Sequence, residues 1–367
     1  MFTSSGSDVS LSDVASLRAA VDSCLSSFLD RKAQDASRSG MPEEVVSLLR
    51  DFVLGGGKRL RPLLCFHGWN AAHGRGEPEA LVHVAAALEM FHACALIHDD
   101  VMDRTDTRRN RPTVHRAVRD RLLSGEHRCH DDQLTRRAHS TAVLLGDLAL
   151  VWSDELFQTA GLSAAQRTAA LAVLHQMRTE VMYGQYLDLL STGCPTTDLA
   201  VPLQVIRYKT AKYTIERPLH LGALLAGASQ QTLRTLSHYA LPLGTAFQLR
   251  DDLLGVFGDP AVTGKPAHDD LREGKYTALI VLAMRRAPAE GAARLGRLLG
   301  DPLLTDAQAE EARAIISAAG ADRATEHMIR RLHEESVQAL DSGSGLLSAD
   351  GTRALQNFAH HAALRTS

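Results

Sequence analysis

The sequence is poor in several residue types, and each shortage argues against a class of protein. The five cysteines lie far apart and form no CxxC pair, which argues against a disulfide framework or a structural zinc site and favours a reducing cytoplasm. No run approaches the roughly 18 apolar residues of a membrane span. The polar, acidic first residues predict no secretory signal. A net charge of -3 gives no reason to expect nucleic acid or an anionic membrane surface as the main partner.

Strand patterns are missing as well. No segment alternates apolar and polar residues, aromatic residues make up only 5% of the chain, and Leu and Ala dominate. We therefore predict an all-α fold, with a polar lead and one helix over 1–40 and a single helical domain over 41–367. Helices are predicted over 11–29, 42–54, 62–72, 79–102, 141–160, 164–191, 199–228, 231–257, 275–288, 306–319, 322–342 and 347–364, with a charged, His-rich loop and a short helix over 104–140.

Lysine is scarce: only six of the 40 basic residues are Lys. The chain prefers Arg to Lys, so a Lys that is present nevertheless indicates a need for a compact ammonium group, which binds phosphate as a point charge. Five of the six lie in motif-like surroundings: Lys58, Lys209, Lys212, Lys265 and Lys275.

Two acidic motifs end apolar helices. Asp99 and Asp103 have the i, i+4 spacing that puts two carboxylates on one helix face, and Asp251 and Asp252 form a second pair three residues after Gln248. Oxygen ligands of this kind suit Mg²⁺, which takes one or two carboxylates together with substrate phosphates. We expect the two motifs to converge on one metal cluster.

Basic residues accompany these acids. A turn of three glycines ending at Gly57 precedes Lys58 and Arg61, and Arg108 and Arg109 follow the first acidic motif. Glycine lets the backbone approach an anion closely, and two cations can hold it. The turn is not a P-loop, since it lacks GxxxxGK[ST]. The combination predicts a site for one or more diphosphates.

These motifs resemble those of the trans-isoprenyl diphosphate synthases, the polyprenyl synthetase family, over about residues 40–290. The resemblance is carried by five motifs in the family's order. These are Asp99, Asp100 and Asp103 with Arg108 and Arg109; Gly56 to Pro62 (GGKRLRP); Gly184 to Leu189 (GQYLDL); Lys209 and Thr210; and Asp251 and Asp252 with Lys265 and Lys275. The chain departs from the family pattern at Asn110, where a Gly usually follows the arginine pair, and at Gly255, where the second motif often has its last Asp.

The resemblance implies an isoprenoid-synthase bundle with a central active-site cavity, and a homodimer. It implies three Mg²⁺ ions, held chiefly by Asp99, Asp103 and Asp251 within the two acidic motifs, that grip an allylic diphosphate. The other residues it assigns are grouped by role. Arg108, Lys209 and Lys265 contact the allylic diphosphate; Thr210, Gln248 and the Lys209 carbonyl stabilise a carbocation; Gly57, Lys58, Arg61, His92 and Arg109 bind isopentenyl diphosphate; Asp252 adds a metal ligand; and Gln185 and Lys275 bind substrate.

The expected product is geranylgeranyl diphosphate. Cys94 and Ala95 are small, so they should not stop a growing chain at farnesyl diphosphate, whereas Phe91 could form the tunnel floor. A longer product follows if Phe91 instead turns into the core. Two other functions stay open, a terpene cyclase and a non-catalytic subunit. A cyclase would need a second metal motif with Asn, Ser/Thr and Glu, which is not found near Asp251, and a non-catalytic subunit would have decayed aspartate motifs. The residues His127, Cys129, His130 and His139 match no common zinc spacing.

Overall fold

The computed structural model describes residues 14–75, 79–124, 130–258, 269–343 and 345–364. Its secondary structure is helical apart from one two-stranded ribbon within that part of the chain, so the all-α prediction is confirmed. The helices are α1 Val14–Arg38, α2 Glu43–Val53, α3 Leu60–Ala71, α4 Glu79–Met102, α5 Val114–Ser124, α6 Asp131–Gln158, α7 Ala164–Ser191, α8 Ala200–Val205, α9 Arg217–Leu225, α10 Gln230–Phe257, α11 Asp269–Arg272, α12 Ala278–Arg286, α13 Ala289–Leu298, α14 Asp306–Ala318, α15 Ala321–Ser342 and α16 Ala349–Ala363.

The chain divides into two compact units. The first comprises residues within 1–66 and 76–164, and the second comprises residues within 67–75 and 165–367. Helix α3 begins in the first unit and ends in the second. The predicted boundary at residue 40 stays a prediction.

Helix α4 is the core of the first unit. It is apolar on most sides and buries side chains around its whole circumference. Ser153 on α6 donates a hydrogen bond to the Ala87 carbonyl (2.9 Å), and the His98 ring packs on Gly146, where a Cβ would lie 2.2 Å from the ring. These small α6 residues let the two helices approach closely.

Helix α4 is also the one described helix that is long and apolar enough to cross a membrane. Of its most apolar 18-residue window, 72% is buried inside the protein. A core helix meets the same criterion of length and composition, so this observation is weak evidence for a membrane span.

The segment 104–140 differs from the predicted loop with a short helix. It contains an antiparallel ribbon of β1 Thr107–Arg108 and β2 Arg111–Pro112, then α5, and α6 begins ten residues earlier than the predicted 141. The strands are two residues long, too short to show alternation. Arg and Asp residues at the start of α6 hid its apolar period, which the buried Leu134 and Ala138 nevertheless follow.

The second unit is built around α10 and the segment before α9. The predicted helix 199–228 is continuous, but Ile206–Glu216 is wound as a π-helix. π-helical turns are rare and occur often at functional sites. Capping side chains begin later helices, for example Ser229, which accepts a hydrogen bond from the Thr232 amide, and Thr305, which forms a capping box with Gln308.

Candidate active site

The first acidic motif separates one buried carboxylate from two accessible ones. Asp99 and Asp103 are half-buried at the end of α4, whereas Asp100 is 1% exposed. The Arg108 guanidinium donates from Nε to Asp100 Oδ1 (2.7 Å) and lies 3.4 Å from Asp99 Oδ2. Burial raises the pKa of Asp100 to about 6, although the hydrogen bond from Arg108 acts in the opposite direction.

The β-ribbon positions the arginine pair. Arg109 and Asn110 form its two-residue turn, with φ of 54° and 58°. A two-residue hairpin with positive φ at both central positions is the type I′ turn, for which Asn and Gly are favoured. Asn tolerates the left-handed region better than most residues, so Asn110 can serve where the family pattern has Gly. The turn leaves Arg108 directed at Asp100 and Arg109 directed at the Gly56 carbonyl, to which its Nη1 donates.

A basic cluster surrounds His92 in the same unit. Burial, together with the charges of Arg61, Arg109 and Arg108, holds the pKa of His92 well below its usual range. Gly57 has φ of 142°, and a Cβ there would lie 2.9 Å from the Arg109 guanidinium. The structure therefore brings four residues of the expected isopentenyl diphosphate site together.

Lys58, the fifth residue of that expected site, is exposed on the adjoining turn. Its ammonium group is thus accessible to an anion from solvent.

In the second unit, the π-helical segment carries the Lys-Thr motif against α7 and α10. Lys209 Nζ pairs with Asp188 of α7 (2.6 Å), and Thr210 Oγ1 donates to Gln248 Oε1 of α10 (2.8 Å). Gln248 Nε2 in turn donates to Asp252 Oδ1 (3.0 Å). This chain of hydrogen bonds fixes the amide of Gln248 between the hydroxyl and the buried carboxylate.

Gly184 allows the π-helical segment to lie against α7. A Cβ at this position would be 2.6 Å from the Lys209 backbone nitrogen. The next residue, Gln185, is half-buried on α7 and has the i, i+3 spacing from Asp188 that places both on one helix face.

The remaining predicted residues fall in different surroundings. Asp251 is half-buried, whereas its neighbour Asp252 is 6% exposed. Lys275 pairs with Glu273 (2.6 Å) before α12, and Lys265 lies outside the described residues. Gly255 continues α10, where an Asp would have extended the acidic face.

The tunnel residues of α4 are mostly in the interior. Phe91 and Cys94 are buried, at 1% and 3% exposure, and Ala95 is half-buried. The Cys94 sulfur lies 3.9 Å from the His98 ring, on the side of α4 that faces α6.

Three acids hold the basic side chains of these motifs in place, a function that was not predicted from the sequence. Asp100 binds Arg108, Asp188 binds Lys209, and Glu180 of α7 accepts hydrogen bonds from Lys212 and Arg217. Burial alone would raise the pKa of Glu180, but these hydrogen bonds outweigh it and lower that pKa. Glu180 and Asp188 lie eight residues apart on α7, slightly more than two helical turns, so both side chains lie toward the same side of the helix. This spacing was the feature of the sequence that could have indicated their shared role.

The donor set fits Mg²⁺ bound together with a substrate. No group of three or more His, Cys, Asp or Glu side chains within the described ranges could hold a metal ion alone. The half-buried carboxylates Asp99 and Asp103 offer only oxygen ligands, and Mg²⁺ typically completes its shell with water and phosphate. Its binding here would therefore depend on the diphosphate.

The chain is similar to known proteins over most of its length. The polyprenyl synthetase family profile matches residues 42–316. A solved geranylgeranyl pyrophosphate synthase from Corynebacterium glutamicum, complexed with isoprenyl diphosphate and magnesium, is 40% identical with a TM-score of 0.89, covering 96% of this chain and 99% of that one.

Two further relatives are named for different products. A geranylfarnesyl diphosphate synthase of Aeropyrum pernix is 33% identical over 76% of this chain and 81% of its own length. A (2E,6E)-farnesyl diphosphate synthase of Mycobacterium bovis is 30% identical over 83% and 79%. With its acidic and basic motifs inside the matched range and the same helical fold, the chain belongs to the polyprenyl synthetase family and is a prenyltransferase.

Proposed function

We propose that the enzyme condenses isopentenyl diphosphate with allylic diphosphates and releases geranylgeranyl diphosphate. The observation that carries the proposal is the arrangement in the first unit. There, two half-buried carboxylates at the end of α4 lie in the same unit as an arginine cluster around His92, and Arg108 belongs to both groups. One part suits a diphosphate bound with metal and the other a diphosphate bound by cations alone.

Asp99, Asp103 and Asp251 would hold Mg²⁺, three ions in all, with Asp252 beside them. When bound, Mg²⁺ would neutralise the negative charge that develops on the departing diphosphate. Asp99, Asp103 and Asp251 are half-buried, so each residue keeps part of its surface exposed. The contact with Arg108 keeps Asp100 from competing for the same ions.

On the allylic substrate, Arg108, Lys209 and Lys265 would bind phosphate oxygens. Lys209 would exchange its ion pair with Asp188 for a contact with the incoming diphosphate. This exchange is possible because the side chains of Lys209 and Asp188 are both partly exposed to solvent. Thr210 and Gln248 present oxygen dipoles fixed by their mutual hydrogen bond, which suits stabilisation of a carbocation without capturing it. Gln185 and Lys275 would complete the substrate contacts.

Isopentenyl diphosphate would bind through Gly57, Lys58, Arg61, His92 and Arg109. The lowered pKa of His92 leaves its ring neutral at pH 7, so it donates a hydrogen bond without adding charge to the arginines. The double bond of this substrate then attacks the allylic carbon, and the released diphosphate accepts the proton that is lost.

Product length rests on α4. Ala95 has the i, i-4 spacing that places it on the side of Asp99, and it is half-buried, so a ring there would obstruct a chain growing from the motif. Phe91 is buried one turn further, and we propose that its ring forms the floor. Because Phe91 lies deep in the interior, a longer product remains the alternative, and farnesyl diphosphate is disfavoured by the small Ala95 and Cys94.

The test is incubation of the purified chain with Mg²⁺, isopentenyl diphosphate and, separately, dimethylallyl, geranyl or farnesyl diphosphate, with products identified by mass spectrometry. We expect geranylgeranyl diphosphate. Diphosphate release without consumption of isopentenyl diphosphate would indicate a cyclase. No turnover with any primer would indicate a non-catalytic subunit.

Two variants test the tunnel separately. Phe91→Ala should lengthen the product and Ala95→Phe should shorten it towards farnesyl diphosphate. Shortening by Ala95→Phe with no effect of Phe91→Ala would put the floor deeper, and no change in either variant would show that this face of α4 does not line the tunnel.

We also propose a homodimer located in the cytoplasm. Large apolar side chains are exposed on α6, where Leu144 is 67% exposed, and on α7, where Tyr183 is 65% exposed. Such surfaces are typical of subunit contacts. The four described cysteines form no disulfide with one another, as expected in a reducing compartment. Sedimentation equilibrium measures the subunit number directly.

A further inference from the structure

Arg59 has no assigned role, although it lies inside the glycine-rich motif. Its neighbour Lys58 is exposed, but Arg59 itself is only 4% exposed. Its φ of 48° lies in the left-handed region, which a non-glycine residue adopts only at a cost. At this turn, one of two adjacent cations is exposed and the other is buried.

Inside the protein, the guanidinium of Arg59 joins three segments. Nε donates to Asp22 Oδ1 on α1, Nη1 to Glu89 Oε1 on α4, and Nη2 to the Val53 carbonyl at the end of α2, each at 2.8 Å. Only an arginine has donors in a rigid fork that can reach three acceptors at once, whereas lysine presents a single ammonium.

The partner carboxylate is unusual in its setting. Glu89 is 5% exposed within the apolar helix α4, and its Oε2 has no hydrogen-bond partner. Replacing a buried ion pair by apolar residues is often neutral or stabilising. A buried Arg–Glu pair therefore contributes little net stability, and its value lies in fixing one geometry.

The residues that this pair holds in place belong to the expected isopentenyl diphosphate site. Arg59 lies between Lys58 and Arg61 in the chain, and Glu89 precedes His92 by three residues on the same side of α4. The Arg59–Glu89 pair thus ties the turn that carries two of the cations to the helix that carries His92.

We propose that Arg59 is a positioning residue, which through Glu89 and Asp22 holds Gly57, Lys58 and Arg61 against His92 so that they bind the diphosphate of the non-allylic substrate. This inference rests on the proposed function. It adds that the affinity of the site depends on a buried residue that does not touch the substrate.

The experiment measures the Kd of isopentenyl diphosphate and of inorganic pyrophosphate by calorimetry without metal, the KM of both substrates, and the Tm. The variants are Arg59→Lys, Arg59→Gln, Glu89→Gln and the double variant Arg59→Gln/Glu89→Gln. Lys32→Gln is the matched control, because it breaks another ion pair of α1 in the same unit, the pair with Glu155 at 2.5 Å.

We expect Arg59→Lys and Arg59→Gln to raise the Kd and KM for isopentenyl diphosphate by about 10-fold or more, since small misplacements of binding groups can cost up to 10²-fold. The allylic KM should change less than about twofold. The double variant should regain Tm relative to Arg59→Gln, because no buried carboxylate is left unpaired, without regaining affinity. Lys32→Gln should lower Tm and leave the Kd and KM for isopentenyl diphosphate unchanged.

A Kd that follows Tm across the series, or an unchanged Kd in both Arg59 variants, would overturn the proposal. Failure of the proposed function gives a different result. In that case the unmutated chain would bind isopentenyl diphosphate, and the Arg59 variants would bind it less well, but no primer would be elongated.

Discussion

The two aspartate-rich motifs bury one carboxylate each, and they hold it with different partners. In the first motif, the charged Arg108 reaches Asp100 from the β-ribbon. In the second, the neutral amide of Gln248 reaches Asp252 from the preceding turn of the same helix. In both motifs the adjacent aspartate, Asp99 or Asp251, stays half-buried.

The difference shows that the first motif depends on tertiary structure and the second on helix geometry. Arg108 reaches Asp100 only when the ribbon adopts its turn, whereas the spacing of Gln248 and Asp252 follows from α-helical periodicity. The first unit therefore concentrates cations near its carboxylates. The second unit places neutral dipoles, those of Thr210 and Gln248, beside its own.

The largest expected effect comes from the accessible aspartates. Asp99→Ala and Asp251→Ala should each lower turnover by at least about 10²-fold. Each variant removes a ligand of the Mg²⁺ ions that would stabilise the charge on the departing diphosphate. Thermal unfolding should change little. Asp350→Ala, at a highly exposed aspartate, is the control. Near-normal turnover in both variants would contradict the Mg²⁺ assignment.

The next effect separates the two diphosphates. Lys58→Ala should raise the KM for isopentenyl diphosphate and Lys209→Ala should act on the allylic substrate, each by roughly 10- to 100-fold, the equivalent of one charge-assisted hydrogen bond. Initial-rate kinetics with each substrate varied in turn measure both constants. If Lys58→Ala affected only the allylic substrate, the two sites would be reversed.

The smallest effect concerns stability and contrasts the buried aspartates. Asp100→Asn should change the free energy of unfolding by less than about 1 kcal/mol, because burial already disfavours the charged carboxylate, as its raised pKa shows, and this offsets the lost ion pair with Arg108. Asp252→Asn should cost about 1 kcal/mol, since the new amide oxygen still accepts from Gln248. Urea unfolding of both variants measures these changes, and a loss well above about 1 kcal/mol for Asp100→Asn would show that the ion pair outweighs the cost of burial.

Much of the helical scaffold could be predicted from the sequence. The bounds of Glu79–Met102 and Ala164–Ser191 agree with the predicted spans, because long apolar patterns between clear turn signals leave little choice of boundary. The charged motifs were visible for a similar reason, since acids and lysines are rare on apolar helices.

The parts that could not be predicted depend on contacts distant in the chain or on backbone form. The Arg109–Asn110 turn lacks the usual Asn-Gly signal. The π-helical winding of Ile206–Glu216 changes hydrogen-bond register without changing composition. Helix Ala289–Leu298 was missed because alanine, glycine and charges obscure its short apolar face. Adjacent cations gave no sign that Arg59 is buried and Lys58 exposed.

We propose that the two aspartate motifs act on the same chemical step. The direct test is the single-turnover rate of Asp99→Ala, Asp251→Ala and the double variant with saturating substrates. Residues that act as one unit are strongly non-additive, so each single variant should lose about as much rate as the double variant. A double variant whose loss equals the product of the two single losses would instead show that the motifs act independently of each other.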